Sequence, residues 1–357
     1  DNESGAVLCI VGGREYTVQR GLNRATQLQR QPGSAIKPLA VYAPAIESYG
    51  CTTATVLNDN PTTFAGNYTP RNSGNNYHGF VTVRQALKWS MNVACVSLLD
   101  RIGVAAGRDY LHKVGIPLSD ADWGLSLALG SMTYGVSPVQ LAAAYAAFGN
   151  GGTYYEPFFI RRVEDAQGNV IYAHTAEGRR VVSRETAYLM NSLLQSVTAE
   201  GTGAKLSAAG TPVAGKTGTV NMKGGGNRDI WMAAYNAQIS TAFWIGFDNP
   251  DSRHRLASWV SGGDHTAALA TAFFKSAYAG KKKPAFDTPP NIVWQTVDRA
   301  SVEWLGEAML ATQTTPKSYR YSEVFASSNK LVKQSTAWKA PASPSAFYIT
   351  HNDKRSE

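Results

Sequence analysis

The spacing of apolar positions divides the chain into a strand-like opening, a long helical middle and a second block of strands. "GAVLCIVGG" is an almost continuous apolar run and "REYTVQ" alternates, which predicts a pair of strands at the start. "NRATQLQRQPGSAIKPLAVYAPAIE" passes from polar residues into a helical pattern that begins near Ser34. Pro38 is tolerated there because it still falls in the first turn. Residues 50–80 are dense in Thr, Asn, Gly and Pro, with "NDNP" and "NSGNN" as turn signals, and predict a loop. Helices are predicted next in "TVRQALKWSMNVACVSLLDRIG", "AAGRDYLHKVG" and "SPVQLAAAYAAFGNGG", where apolar residues recur every three or four places.

Short strand-like runs, "TYYEPFFIRRVED" and "VIYAH", precede a further helix, "SRETAYLMNSLLQSVTAEG". From residue 212 the pattern turns to strands in "PVAGKTGTV", "DIWMAAYN" and "ISTAFWIGFDN", and "HTAALATAFFKSAYAG" reads as an amphipathic helix. Strands at both ends with helices between them predict an α+β fold, an antiparallel sheet of about five strands packed by helices. The mainly helical part covers roughly residues 50–205. Residues 286–357 predict one extra strand, "NIVWQTV", and then a weakly ordered, low-complexity tail rich in Ser, Thr, Lys, Ala and Pro.

Composition narrows the class without choosing a function. Hydrophobic residues make up 43% and charged residues 17% of 357, and no apolar run approaches the roughly 18 residues of a membrane helix. A net charge of +8 favours anionic partners such as nucleic acid, phospholipid or cell-wall polymer. The basic residues are dispersed, however, and the dense "KKKP" at 281–284 reads as a solvated linker. Cys9, Cys51 and Cys95 are odd in number and widely spaced, so neither a disulfide framework nor a zinc site is implied. Six scattered histidines offer no paired metal-ligand spacing, and no metal or cofactor is expected. The chain opens directly on a turn and a strand-like run, which suggests a fragment of a longer parent.

The decisive stretch is "GTPVAGKTGT" at 210–219, because it satisfies two incompatible patterns. Gly210, Gly215, Lys216 and Thr217 match a phosphate loop, G-x-x-x-x-G-K-[ST]. A phosphate loop needs a buried strand before it and a helix after it, and here a small, polar stretch precedes it and the Gly-rich "GTVNMKGGGNR" follows. Lys216, Thr217 and Gly218 also spell K-T-G, one of three short signatures of serine acyl-transfer enzymes. The second signature, S-x-x-K, occurs at Ser34/Lys37 and at Ser327/Lys330, and only the first opens a helix. At helical spacing that pair puts hydroxyl and amine on one face. The third, S-x-N, occurs at Ser73/Asn75, Ser90/Asn92 and Ser327/Asn329, and only Ser90/Asn92 sits in an apolar helical region, where polar groups need partners or a cavity. Asp264-His265 has no G-x-S-x-G elbow beside it and reads as a helix cap, while Asp229 and Trp231 read as structural.

With these signatures in order, "GAVLCIVGGREY", "RQPGSAIKPLAVYAPAIE", "ALGSMTYGVSPVQLAAAYAAFGNGG" and "VAGKTGTVNMKGGGNRDIWMAAYN" closely resemble the transpeptidase domain of class A penicillin-binding proteins. The resemblance covers roughly residues 1–280 and implies a β-lactamase/transpeptidase-like fold, with residues 1–285 as the transpeptidase domain and the helical subdomain as one wall of its cleft. It implies Ser34 as nucleophile on a D-Ala-D-Ala stem peptide and Lys37 as base, its pKa depressed by burial and by Lys216. Ser90 and Lys216 would carry the proton, while Asn92 would hold the donor's amide. Lys216, Thr217, Gly218 and Thr219 would hold its carboxylate, and an amine of a neighbouring strand would be the acceptor. β-Lactam antibiotics would acylate Ser34. No E-x-x-L-N motif of the hydrolysing β-lactamases is present, which favours a β-lactam target; the alternatives are a D,D-carboxypeptidase or β-lactamase-like hydrolase and a non-catalytic β-lactam or peptidoglycan sensor or binding domain. An upstream glycosyltransferase domain, a membrane anchor and a place on the extracytoplasmic face of a bacterial membrane are implied for the parent, and no nucleic-acid partner. Val220 and the Gly-rich "NMKGGG" depart from the family pattern.

Overall fold

The structure, a computed structural model, describes residues 1–15 and 17–338. Its first helix changes pitch as it goes: a 3-10 turn at Gly33–Ile36, a π-turn at Pro38–Tyr42, then α1, Ala43–Ser48. Pro38 has no N–H to donate, and the turn it opens closes wide, with Ala43 N–H on Pro38 O. Apolar residues surround this helix and it is buried on all sides, from Ala35 and Ile36 through Leu39, Val41 and Tyr42.

The loop expected at 50–80 is present, apart from β1, Val56–Asn58, which pairs antiparallel with β2, Phe80–Thr82. The single helix expected after it is two, α2, Val83–Lys88, and α3, Asn92–Ile102. Between them Ser90 takes the left-handed conformation, φ 58°, and the chain closes α2 with Met91 N–H on Ala86 O (2.9 Å) and Ser90 N–H on Leu87 O (3.1 Å). This is the Schellman stop, usually made by glycine. Sequence periodicity runs straight through it because the apolar spacing of α3 happens to continue that of α2. Helices α4, Val104–Lys113, and α5, Pro138–Gly149, complete the helical layer, the latter opened by a reciprocal Ser137/Gln140 capping box.

Small antiparallel pairs follow: β3, Thr153–Tyr155, with β6, Gly178–Arg180, and β4, Arg162–Glu164, with β5, Val170–Ala173. The long helix α6, Arg184–Glu200, then leads to the main sheet. That sheet is antiparallel in chain order: β7, Ala214–Asn221, β8, Asn227–Tyr235, and β9, Ser240–Gly246. Trp231, Ala233 and Tyr235 of β8 face the helical core, while Met232 and Ala234 face α7, Ala267–Ala277, on the other side. β8 is thus buried on both faces and the layers read helix, sheet, helix.

Three further expectations differ. About five strands were expected in the main sheet, and it has three among the described residues. The opening run does not pair with it: Ala6 bridges Phe158, Val7 N–H donates to Phe158 O, and a cavity of about 490 Å³ separates residues 5–11 from β9. Apolar content marked the run as strand-like but carried no information on its partner. The tail expected after "NIVWQTV" is also structured as far as residue 338. β10, Ile292–Asp298, is followed by α8, Arg299–Leu305, β11, Met309–Leu310, and β12, Arg320–Ala326, in the sheet order β11-β10-β12. Its core is small, Val297 and Phe325 against Ala54, and surrounding Ser, Thr and Lys mask it in the sequence. The rest of the expected tail, residues 339–357, lies outside the described residues. Among the described residues no helix is long and apolar enough to cross a membrane.

Candidate active site

Ser34 is half-buried in the first turn of the first helix, where that helix meets the edge of β7. The approach is close enough to require glycine. Gly33 has φ 55°, and a Cβ there would lie 2.9 Å from Thr219 O; a Cβ on Gly218 would collide with Pro32 O, and one on Gly130 would lie 2.5 Å from Gly33 O. Tyr145 Oη donates to Ala35 O at 2.6 Å and ties the same turn to α5. Trp231 Nε1 donates to Gln31 O, and the buried Asp229 accepts from Arg228 and Trp244, so both serve to fix the sheet beside the turn.

One turn beyond Ser34, the Lys37 amine is fully buried against the break between α2 and α3. It donates to Ser90 O (2.8 Å), Met91 O (3.1 Å) and Asn92 Oδ1 (2.7 Å), and lies 3.3 Å from Ser90 Oγ. The left-handed Ser90 turns these acceptors inward, which accounts for a non-glycine residue in that conformation. Ser90 Oγ also receives the amine of Lys216, 2.9 Å away, and Lys216 is itself fully buried on β7. The hydroxyl therefore bridges two buried lysines.

Burial pulls Lys37 down to about 8, with Cys95 and Asp59 pulling the other way. Burial lowers Lys216 further, and the Lys37 charge adds to it. The sequence expectation had Lys216 acting on Lys37. In the structure Lys216, with two acceptors (Ser90 Oγ and Thr217 O) against four around Lys37, is the amine more readily left neutral.

Lys216, Thr217, Gly218 and Thr219 lie consecutively on β7, an edge strand of the sheet. Thr217 Oγ1 bonds Thr202 Oγ1 (2.9 Å), and Thr219 Oγ1 accepts from Gly262 N–H (3.4 Å). All eight residues proposed from the sequence are thus on the segments that meet here: the first helix, the α2–α3 break and β7. Ser73/Asn75 and Ser327/Lys330 are exposed elsewhere. Asp264 is in the first turn of the helix capped by Ser261 and pairs with Lys205, so the cap is the serine. Gly210 ends a 3-10 helix and Lys216 is followed by strand and hairpin, which excludes a phosphate loop.

Thr202, Asp59 and Asn72 also touch this site, and sequence reasoning did not single them out. Asp59 and Asn72 lie in a loop whose Asn, Asp and Pro content is fully explained by turns. Among the described residues no group of His, Cys, Asp and Glu could hold a metal.

The family model for the penicillin binding protein transpeptidase domain matches residues 1–274. Penicillin-binding protein 1F of Bacillus subtilis (strain 168) is 40% identical over 296 residues, 82% of this chain and 40% of that protein. Penicillin-binding protein 1A of Neisseria lactamica is 34% identical over 307 residues, 82% of this chain and 37% of that protein. The crystal structure of penicillin-binding protein 1A from Haemophilus influenzae superposes with a TM-score of 0.80 at 26% identity, covering 94% of this chain and 53% of that one. The chain therefore spans about two fifths of the length of these curated relatives.

Proposed function

The chain belongs to the penicillin-binding protein transpeptidase family, and from that premise and the site geometry we propose that it is a serine D,D-transpeptidase, cross-linking peptidoglycan stem peptides and acylated by β-lactams. The observation that carries the reading is the Ser90 hydroxyl bridging two buried lysine amines beside a helix-start serine. Ser34 Oγ attacks the penultimate D-Ala carbonyl, and neutral Lys37 takes the hydroxyl proton. Backbone amides of Ser34 and Thr219 face the developing oxyanion. As the C–N bond breaks, the proton passes through Ser90 to the leaving nitrogen and D-Ala departs. An acceptor amine then attacks the ester, restoring Ser34 and forming the cross-link.

Thr217, Thr219 and Lys216 hold the donor's terminal carboxylate, and arrival of that anion favours the protonated form of Lys216. One N–H of Asn92 is engaged by Arg71 O (2.7 Å), which leaves the other for the donor's amide oxygen. Residues 1–285 act as the transpeptidase unit. The parent carries a glycosyltransferase domain and a membrane anchor and works at the extracytoplasmic face of a bacterial membrane; relatives more than twice as long support this.

Exposure to benzylpenicillin should add one antibiotic mass to the protein, and Ser34→Ala should abolish the adduct. Lys37→Met should slow acylation by about 10²–10⁴-fold. An adduct that survives Ser34→Ala would sink the assignment. With a stem peptide and an amine acceptor, exchange product is expected; hydrolysis alone would mark a carboxypeptidase, and acylation without turnover a sensor.

A further inference from the structure

Resting on this reading of the site, we propose that Asp59 and Asn72 are its positioning residues: Asp59 locks the Asn72 amide, and Asn72 holds the start of α3, so that Asn92 and the carbonyl ring around Lys37 keep their geometry.

Helix α3 has no cap of its own. The residue before α3 is Met91, which has no side-chain acceptor for the first amides of the helix, and none is made there. Asn72, twenty residues earlier in the chain, supplies it. Its Oδ1 accepts from Asn92 N–H (2.7 Å) and Val93 N–H (3.1 Å). Its Nδ2 faces both oxygens of Asp59 at 2.9 and 2.8 Å, and Asn76 O at 2.9 Å. This fixes the amide's orientation. Turned over, its oxygen would face a carboxylate and a carbonyl while its NH2 faced two helix amides, and every contact would be repulsive.

Asp59 is fully buried, an expensive place for a carboxylate unless its charge is used. No Lys or Arg pairs with it among the described residues. Besides Asn72, its oxygens accept from Ala94 N–H and His78 N–H and contact His78 Nδ1 at 3.2 Å. His78 is half-exposed, whereas Asn72 is buried. The chain of contacts then runs inward. Asp59 holds Asn72, Asn72 holds the backbone of Asn92, Asn92 Oδ1 receives Lys37 Nζ at 2.7 Å, and Lys37 Nζ lies against Ser90. The same loop supplies Arg71 O, which holds the far side of the Asn92 amide. One buried carboxylate thus orients two asparagines, and through them the Lys37 amine.

Groups facing the Lys37 amine are Lys216 from β7, Cys95 from α3 and Asp59 from this loop, with Tyr42 from its own helix against Cys95. Asp59 is the carboxylate among them, and its charge favours the ammonium form of Lys37. Two separable effects follow for the isosteric Asp59→Asn.

The experiment measures penicillin acylation rate against pH, with adduct stoichiometry as the count of competent sites. In Asp59→Asn the high-pH plateau should fall at least about tenfold, and the midpoint should move to lower pH by about half a unit or more. In Asn72→Ser, which removes the donor pair towards Asp59 and leaves its charge in place, the plateau should fall while the midpoint holds. If Asp59→Asn does not fold, Asn72→Ser carries the test alone. Wild-type plateaus in the variants, or a loss confined to stoichiometry and melting temperature, would overturn the proposal. Failure of wild-type protein to acylate would instead strike at the proposed function.

Discussion

At the scale of single residues, the proposed chemistry turns on an amine held near the pH at which it would work. Lys37, at about 8 against an ordinary 10.5, is roughly one-tenth neutral at pH 7, where an unperturbed lysine would be neutral in fewer than about one molecule in a thousand. Acylation should therefore rise with pH and level off above about 8, as stopped-flow with a chromogenic β-lactam would show; a rate flat from pH 6 to 9 would remove Lys37 as the base. Stability carries the same signature. The folded pKa is below the unfolded one, so the native state binds fewer protons between about 8 and 10.5, and folding stability gains with pH across that window. The clustering of the proposed site residues Ser34, Lys37, Ser90, Asn92 and Lys216 could be anticipated from the sequence because each belongs to a short spacing with its own chemical logic. Asp59 and Asn72 could not be, since a polar residue in a turn-rich loop already has a sufficient explanation. Their role exists only in the way that loop folds back on α3.

At the scale of elements, what the sequence concealed was interruption. Apolar periodicity predicted one helix where there are two, and the stop between them presents Ser90. The first helix hides a comparable irregularity, a change from 3-10 to π closure across Pro38. Tyr145 Oη reaches into that stretch to donate to Ala35 O. Tyr145→Phe, which keeps the ring among Phe148 and Tyr235, should cost about 1–2 kcal/mol in denaturant unfolding. It should also slow acylation, because Ala35 is the residue next to the proposed nucleophile, Ser34. An unchanged rate would show that the helix start is held by packing alone.

For the whole molecule, the α+β layering could be read from the order of helical and strand-like runs, but pairing partners could not. That is why the opening run reads as one of a pair of strands while its partner is Phe158, and why the C-terminal elements read as a tail. Those elements are fastened to the helical layer. Buried Glu323 of β12 accepts from Arg84 of α2 at 2.6 and 2.8 Å, the same Arg84 reaches Ser192 of α6, and Thr53 donates to Val324 O. Ending the chain at residue 285 would leave Arg84 without its carboxylate and uncover Ala54. We expect such a truncation to melt several degrees lower, by calorimetry or dye binding, consistent with about 2–5 kcal/mol for loss of one buried pair and its small core. An unchanged melting temperature would show the C-terminal sheet to be energetically independent.

The meeting of Gly33, Gly130 and Gly218 beneath Ser34 has a mechanical consequence. Backbone lies on backbone there without a methyl group between, so the floor of the cleft has no compressible layer. A bulky substrate can therefore gain no room by compressing that floor. The distance from the proposed nucleophile to β7 is thereby fixed by main chain alone, whatever side chains surround the cleft.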